Sequence, residues 1–324
     1  MPDLEVVGGG APAPTPPKKY RASIYPSEDG SVSAEFAEII FELEKALNCK
    51  VWCLIRQGEE KFDDMSIALY DGFREQRHEI RPKDRIGLLV HSPGGQIWPA
   101  YKIVRLFQRR VEDFFTIVPL SAKSAATLVA IGGKEIVMGS EAELGPLDVQ
   151  IWDDEAEDHI SALNAVQAFD RLNSYSLLAF DQAMQLLIRR LGKKPIGLVP
   201  FALQYATSII NPMADKIDTI ELTRKSRELK VAEEYAKRVM RAYYSPREYT
   251  AIASALVERY PTHGFSIERS EAGTDWGQIT NGGRVSSLGL KVATPSPTVE
   301  ETFTRLEPYL VRDTIIGRIS EVGP

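Results

Sequence analysis

The sequence predicts an α/β fold built around a parallel β-sheet. Apolar runs at 86–90 and 114–120 have the aromatic and β-branched composition of buried strands. Each run is followed by a turn and then by a helical pattern, so that strand, turn and helix repeat in the same order. Such repeats give parallel strands with right-handed crossovers, and these sheets bind ligands at the carboxyl ends of their strands.

Local patterns assign the elements that flank these two strands. A helix is predicted from Ser33 to Leu47, where apolar residues recur at helical spacing, and a strand from Lys50 to Ile55. The charged stretch from Gly58 to Arg85 predicts a surface helix or hairpin. Residues 96–110 form an amphipathic helix, with an apolar stripe on one face and several arginines opposite: Arg105, Arg109 and Arg110.

The chain divides into a main domain and two tails. Residues 1–20 contain GGGAPAPTPPKK, which buries too little surface to order the backbone, so we predict a disordered N-terminal tail. Residues 21–280 form the main domain, with a helical arm at about 160–245. Residues 281–324 read as a turn-rich C-terminal tail that can carry a docking helix at 300–318.

Composition restricts the classes of function. With 324 residues, 44% of them hydrophobic, the chain can bury a sizeable core, and we expect a soluble globular protein. A net charge of −6 argues against a primarily nucleic-acid-binding surface. No apolar run approaches the roughly 18 residues of a membrane span. We therefore expect no integral membrane segment, and we expect a cytoplasmic location.

Cysteine and histidine usage gives no indication of a metal centre. Cys49 and Cys53 lie in one apolar run, which favours buried thiols over a disulfide or a metal framework. No two histidines have metal-ligand spacing, so neither a metal nor another cofactor is predicted.

Ser124 lies where the predicted strand at 114–120 changes to a small, apolar helical run at 125–131. A serine there sits at a helix N-terminus, where free backbone N–H groups and the helix dipole favour an oxyanion close by. We therefore interpret Ser124 as a candidate nucleophile. The alternative interpretation is that its hydroxyl only caps the helix.

A second turn, HSPGG at 91–95, follows the strand at 86–90. Pro93 fixes its own φ and removes a donor, whereas Gly94 and Gly95 allow conformations and close approaches that a Cβ would block. Exposed N–H groups at the end of a strand can bind an oxyanion. Because carboxyl ends of parallel strands meet at one edge, we expect this turn to converge with Ser124, although SPGG taken alone is an ordinary turn.

Four segments resemble the Clp-protease and crotonase-like superfamily, and within it the serine dehydrogenase proteinase family, a relative of signal peptide peptidase A. The segments are LLVHSPGG (88–95), AKSAATLVAIGGKEIVMG (122–139), ELGPLDVQ (143–150) and RYPTHGFSIERSEA (259–272). The resemblance runs from about residue 35 to about residue 280, and the first two segments are the specific ones.

The resemblance implies a Clp-protease/crotonase-like fold with repeated ββα-type units and a helical C-terminal arm. It implies that Ser124 is the nucleophile, and that N–H groups of Gly94 or Gly95 and of Ala125 form the oxyanion hole. It further implies assembly into a homo-oligomer.

The general base is where this sequence departs from the Clp pattern, because the segment that carries the Clp histidine reads ELGPLD here. In the preferred arrangement, His263 takes the Ser124 proton and Asp148 orients the imidazole, whose ordinary pKa of about 6.5 suits a base at neutral pH. In the second arrangement Lys216 forms a Ser–Lys dyad, as in signal peptide peptidase A. That dyad requires burial to depress the lysine pKa.

The sequence thus predicts an ATP-independent serine peptidase that hydrolyses peptide or protein substrates through an acyl-enzyme on Ser124. Two alternatives stay open. One is an acyl-CoA hydratase or isomerase on the same fold, in which the oxyanion amides polarise a thioester. The other is a non-catalytic oligomeric scaffold, and the absence of a histidine at the Clp position supports this alternative.

Overall fold

The computed structural model describes residues 18–25, 31–56, 65–147, 150–153, 158–192, 194–273 and 287–322. Within these ranges the chain forms one large sheet, with helices on both of its faces, and two small sheets. The mixed α/β prediction with a mostly parallel sheet is confirmed.

The strands of the described residues are numbered in chain order. They are β1 (Lys19–Ala22), β2 (Ser31–Val32), β3 (Lys50–Ile55), β4 (Arg85–His91), β5 (Asp113–Val118), β6 (Ser121–Ala122), β7 (Ile136–Met138), β8 (Glu143–Leu144), β9 (Gln150–Asp153), β10 (Asp158–Ser161), β11 (Ile267–Glu268), β12 (Val292–Ala293) and β13 (Ile315–Val322).

The helices in the same ranges are numbered likewise, and two 3-10 helices accompany them at Gln76–Glu79 and Pro195–Gly197. The α-helices are α1 (Ala34–Leu47), α2 (Ile67–Glu75), α3 (Ile97–Gln108), α4 (Ala125–Ala130), α5 (Ala162–Leu191), α6 (Val199–Ala214), α7 (Thr219–Met240), α8 (Pro246–Glu258), α9 (Arg269–Ala272) and α10 (Pro297–Leu310).

The large sheet has the strand order β12-β7-β5-β4-β3-β13-β1-β2. Its first part, from β12 to β3, is parallel throughout, as the strand-turn-helix repeats predict. Beyond β3 the pairing becomes antiparallel through β13, β1 and β2. A parallel sheet therefore carries the candidate site, and an antiparallel extension forms its far edge.

Side-chain alternation along β4 separates two buried layers. Leu88 and Val90 belong to the layer that packs beneath α2, α3 and α4, whereas Leu89 belongs to the layer beneath α1 and α10. Both layers are fully buried at these positions. Burial on both faces explains why the strand is a continuous apolar run and not an alternating one.

The C-terminal region, expected as a turn-rich tail with a docking helix, is built into the main domain. Helix α10 packs on α1, where the rings of Phe36 and Tyr309 meet edge to face with centroids 5.3 Å apart. Strand β13 then pairs with both β1 and β3. The predicted N-terminal tail lies outside the described residues up to residue 17, but Lys19 and Tyr20, which the prediction included in the tail, belong to β1.

Helices α5, α6 and α7 occupy the region expected as a helical arm. Helix α7 connects this region to the sheet layer, because Tyr101 of α3 stacks on Tyr235 with ring centroids 4.4 Å apart. Helix α5 packs against α6 and α7. In the described ranges, no helix is both long enough and apolar enough to cross a bilayer.

Candidate active site

The two turns singled out from the sequence lie side by side at the carboxyl edge of the sheet. The Ser92 N–H donates a hydrogen bond to the Ser121 carbonyl at 3.2 Å, and the Lys123 N–H donates one to the Ser92 carbonyl at 3.0 Å. Ser92 and Ala122 thereby form a parallel bridge between the end of β4 and β6. The predicted convergence of the glycine turn with the serine turn is present in the fold.

Gly94 fits into this junction because it lacks a side chain. A Cβ on Gly94 would lie 2.8 Å from the Ser124 Cβ and 2.9 Å from the Lys123 carbonyl oxygen. The φ angles of Gly94 and Gly95 are +120° and +130°, a region that residues with a Cβ rarely adopt. Both glycines are thus required by backbone geometry.

Hydrogen bonds fix the glycine turn in place. The Gly94 carbonyl accepts hydrogen bonds from the Met65 N–H at 3.1 Å and from the Arg56 Nη1 at 3.0 Å. The Gly94 N–H donates to the Ser92 Oγ at 3.1 Å. Within the described residues the exposed Gly95 N–H donates to no protein acceptor, so it is the amide of this pair that is open to an oxyanion.

Ser124 adopts φ +50° and ψ −122°, a conformation that costs a residue with a side chain on the order of 1–3 kcal/mol. Its hydroxyl makes no capping hydrogen bond to α4, so the helix-cap interpretation has no bond to support it. The side chain is half-buried. Ala125 follows Ser124 in the chain. Its N–H, like that of Gly95, has no protein acceptor among the residues that the structure describes.

Thr127 holds the start of α4 in this position. Its Oγ1 lies 2.8 Å from both the Ala122 and the Gly145 carbonyl oxygens, and it accepts a hydrogen bond from the Gly145 N–H at 3.2 Å. Thr127 is completely buried. Sequence reasoning missed this residue because SAATLVA reads only as a small apolar helix.

Lys123 and Glu143 form an ion pair beside the serine turn, with 2.8 Å between Nζ and Oε1. Partial burial acts to raise the pKa of Glu143, but hydrogen bonds from Lys123 and Ser266 outweigh it and lower the pKa below its ordinary value. Glu143 therefore stays ionised at neutral pH. It connects the serine turn to the segment that contains Ser266, and the sequence held no signal for that connection.

His263 lies in the turn between α8 and β11 and is half-buried. Strand β11 pairs with β8, and β8 pairs with β6, which immediately precedes the serine turn. This three-stranded sheet brings the 263–268 segment to the Ser124 side of the molecule.

The other two candidates for activating Ser124 are Asp148 and Lys216. Asp148 lies outside the described residues. Lys216 is exposed just after α6, a helix whose neighbours are α5 and the 3-10 helix at 195–197. The burial that a Ser–Lys dyad demands is absent at Lys216 in the single chain.

His91 is a buried histidine at the end of β4, adjacent to the glycine turn. Burial lowers its pKa to about 4, so that the imidazole is neutral at physiological pH. Strand alternation places the side chain on the same face as Leu89, away from the layer that contains α4. We therefore assign His91 to support of the turn and not to direct chemistry.

The described residues hold few groups suited to a cofactor or metal. No cluster of three or more His, Cys, Asp or Glu with metal-binding geometry occurs among them. Cys49 and Cys53 are free thiols, and burial raises the pKa of Cys49 to about 12 and shifts that of Cys53 in the same direction.

Together, the sheet and the two turns define an α/β protein of ClpP-like architecture, with a serine at a strained turn beside a glycine turn. A comparison with protein families agrees, since the family described as ClpP-like SDH-type serine proteinase matches residues 34–188. The chain belongs to this family. The matched region contains both turns, whereas His263 and Lys216 lie beyond it.

Two archaeal relatives extend the similarity. The uncharacterized protein MJ0137 of Methanocaldococcus jannaschii is 32% identical over 280 residues, which cover 84% of this chain and 77% of the relative. The uncharacterized protein MJ1495 of the same organism is 28% identical over 120 residues, covering 35% of this chain and 41% of the relative. The first similarity extends well beyond the part that the family comparison matches.

Proposed function

We propose that this protein is a serine peptidase that cleaves peptide bonds through an acyl-enzyme on Ser124. One observation carries the proposal, namely that Ser124 is held at φ +50° against the Gly94 turn while its hydroxyl caps nothing. A strained residue persists only where its surroundings impose it, and such strain concentrates at functional sites. Membership of a serine proteinase family supports the same assignment.

In the proposed reaction the Ser124 Oγ attacks the carbonyl carbon of the scissile peptide while its proton passes to a general base. The tetrahedral oxyanion is bound by the N–H groups of Gly95 and Ala125. The base then protonates the leaving amine, the C–N bond breaks, and an ester on Ser124 remains. Water hydrolyses this ester with the same base accepting its proton, which regenerates the free serine.

Of the two glycine amides expected for the oxyanion hole, Gly95 is the one we assign. The Gly94 N–H is already bonded to the Ser92 Oγ, and its use would require that bond to break. Gly94 instead permits the close approach of the two turns.

For the general base we propose His263, oriented by Asp148. Support comes from the β11-β8-β6 sheet, which joins the His263 segment to the serine turn. Lys216 is the second candidate, and it requires a neighbouring copy of the chain to bury it. We further propose an ATP-independent homo-oligomer in the cytoplasm that acts on peptide or protein substrates without a cofactor.

A fluorophosphonate probe tests the nucleophile directly. We expect stoichiometric labelling of the wild-type protein, with the adduct mapped to Ser124 and abolished in Ser124→Ala. Ser208→Ala, which removes an exposed hydroxyl on α6, serves as the matched control and should label normally. Labelling that persists in Ser124→Ala refutes the nucleophile, and unlabelled wild type supports the scaffold or the acyl-CoA alternative.

The pH profile of the labelling rate tests the base. His263→Ala should slow labelling at neutral pH and remove the titration of the base from the profile, whereas Lys216→Ala should leave both unchanged. The opposite result would transfer the role to Lys216. If neither variant alters the profile, both arrangements are wrong and Ser124 is activated by another group.

A further inference from the structure

A cleft of about 490 Å³ lies away from Ser124, between α3 and the segment formed by α2 and the 3-10 helix that follows it. Its cationic wall consists of Lys102, Arg105, Arg109 and Arg110, and tyrosines 70 and 101 form part of its apolar wall. The sequence pattern predicts these arginines only as the solvated face of an amphipathic helix. In the fold, α2 and the segment after it close over that face.

The charge of this cleft is uncompensated. Its lining contains no carboxylate, and within the described residues none of the four cations forms an ion pair. By contrast, Arg85 pairs with Asp113 at 3.7 Å. Four unpaired cations in one concavity, in a chain of net charge −6, produce a localised positive potential that attracts an anion.

Arg105 is held in place by the protein and is incompletely satisfied. Its Nη1 donates to the Gln108 Oε1 at 2.7 Å, and the Gln108 Nε2 is fixed by the Gly132 and Val239 carbonyls, each at 2.7 Å. Within the described residues the Arg105 Nε is buried without a hydrogen-bond acceptor. The guanidinium is thus held at the cleft wall before any ligand binds, which lowers the cost of ordering it around an anion.

Aromatic rings give the cleft a second kind of recognition surface. The Lys102 Nζ lies 5.8 Å from the Tyr70 ring centroid and 5.4 Å from that of Trp98, and the two rings are themselves 6.0 Å apart. Tyr101 is braced by its stacking on Tyr235. An anchored apolar wall beside a group of cations suits a small molecule that carries both a ring and anionic groups.

We propose that this cleft binds a small phosphate-bearing ligand. Guanidinium groups match phosphate oxygens with paired N–H donors, and three of the four cations are arginines. The site is separate from Ser124, since α3 starts at the glycine turn and the cleft is formed by the middle and the far end of that helix and by the residues just after it. It does not depend on the proposed peptidase reaction.

Isothermal titration calorimetry at low ionic strength tests the proposal with four probes: inorganic phosphate, tripolyphosphate, adenosine triphosphate and adenosine. We expect the phosphate-bearing probes to bind saturably, with one molecule per chain and an affinity that falls as salt is added. Adenosine should not bind. Tighter binding of adenosine triphosphate than of tripolyphosphate would show that a ring of the ligand contacts the apolar wall. The reverse order would indicate an inorganic polyphosphate.

Arg105→Gln and the double variant Arg109→Gln/Arg110→Gln should each weaken phosphate binding at least about tenfold. Arg247→Gln removes an exposed cation on α8 and is the matched control, which should bind like the wild type. Thermal melting confirms that each variant is folded, and Ser124→Ala should bind the probes normally.

Absence of saturable binding overturns the proposal, as does binding that survives in both cleft variants. An acidic peptide serves as an additional probe, and binding of this peptide alone would also overturn the proposal and make the cleft a peptide-docking surface.

Discussion

Gly94 is the residue at which the two turns touch, and this makes it a sensitive probe of the site. We expect Gly94→Ala to reduce fluorophosphonate labelling of Ser124 at least tenfold, because the added Cβ must push the serine turn away. The positive φ adds a conformational penalty, so that the free energy of unfolding falls by about 1–3 kcal/mol. Labelling kinetics and chemical denaturation measure the two effects.

Gly197→Ala is the control for this experiment. A Cβ at Gly197 meets no atom within 4 Å, so the variant should label and unfold like the wild type. Normal labelling of Gly94→Ala would mean that the close approach of the two turns is unimportant for the reactivity of Ser124.

His91 should make the protein sensitive to acid. Its pKa is lowered by burial from 6.5 to about 4, so between these values the unfolded chain binds a proton that the folded chain does not. The free energy of unfolding therefore falls as the pH drops from 6.5 to 4, by up to about 3 kcal/mol from this group. Denaturation midpoints measured across this range should show a smaller slope in His91→Gln.

His78 provides the comparison, because it is exposed on the 3-10 helix after α2. His78→Gln should keep the wild-type slope. Equal slopes in the wild type and in His91→Gln would assign the acid sensitivity to other groups.

At the scale of elements, the position of α4 depends on one buried hydroxyl. Thr127→Val keeps the shape of the side chain but removes the hydroxyl that contacts the Ala122 and Gly145 carbonyls and that shares the Gly145 N–H with the Ala122 carbonyl. We expect a loss of about 1–3 kcal/mol in the free energy of unfolding, because the buried Gly145 carbonyl loses this donor. Labelling of Ser124 should also slow, since α4 begins at Ala125.

Thr223→Val is a suitable control, because the Thr223 Oγ1 bonds the Thr219 carbonyl on the exposed surface of α7. This change should alter stability by less than about 0.5 kcal/mol. A Thr127→Val variant that is equally harmless would show that packing alone positions α4.

The elements that the sequence predicted well are those whose pattern is local. Strands β3, β4 and β5 and helices α1 and α3 follow from apolar periodicity, and the Ser124 and Gly94 turns follow from changes in that periodicity. The contact between Glu143 and Ser266 could not be found in this way, because it joins segments far apart in the chain. The same limit applies to Arg105, whose surroundings depend on how α2 packs over α3.

At the scale of the whole molecule, β13 is the element that joins the antiparallel edge to the parallel sheet. Removing residues 314–324 should leave the β3 edge without a partner and free β1 as well. We expect the truncated chain to aggregate, because an unpaired apolar strand edge pairs with other chains. Size-exclusion chromatography and circular dichroism would reveal this, and a monodisperse, fully structured product would contradict it.

The sequence could not predict this role for β13. Periodicity identifies a strand but not its partner, and Ile315 pairs with Ile55 across most of the length of the chain. The C-terminal region therefore read as a tail, although its helix and strand complete one of the two buried layers.

The position of β13 also bears on how the protein is made. Roughly 260 residues must be synthesised between Ile55 and its partner Ile315, which at about 5–20 residues per second occupies tens of seconds. During that interval the nascent chain contains the complete Ser124 turn, but its sheet still lacks a strand. The large sheet can therefore be completed only after β13 has been synthesised, and until then the exposed β3 edge can pair with other chains.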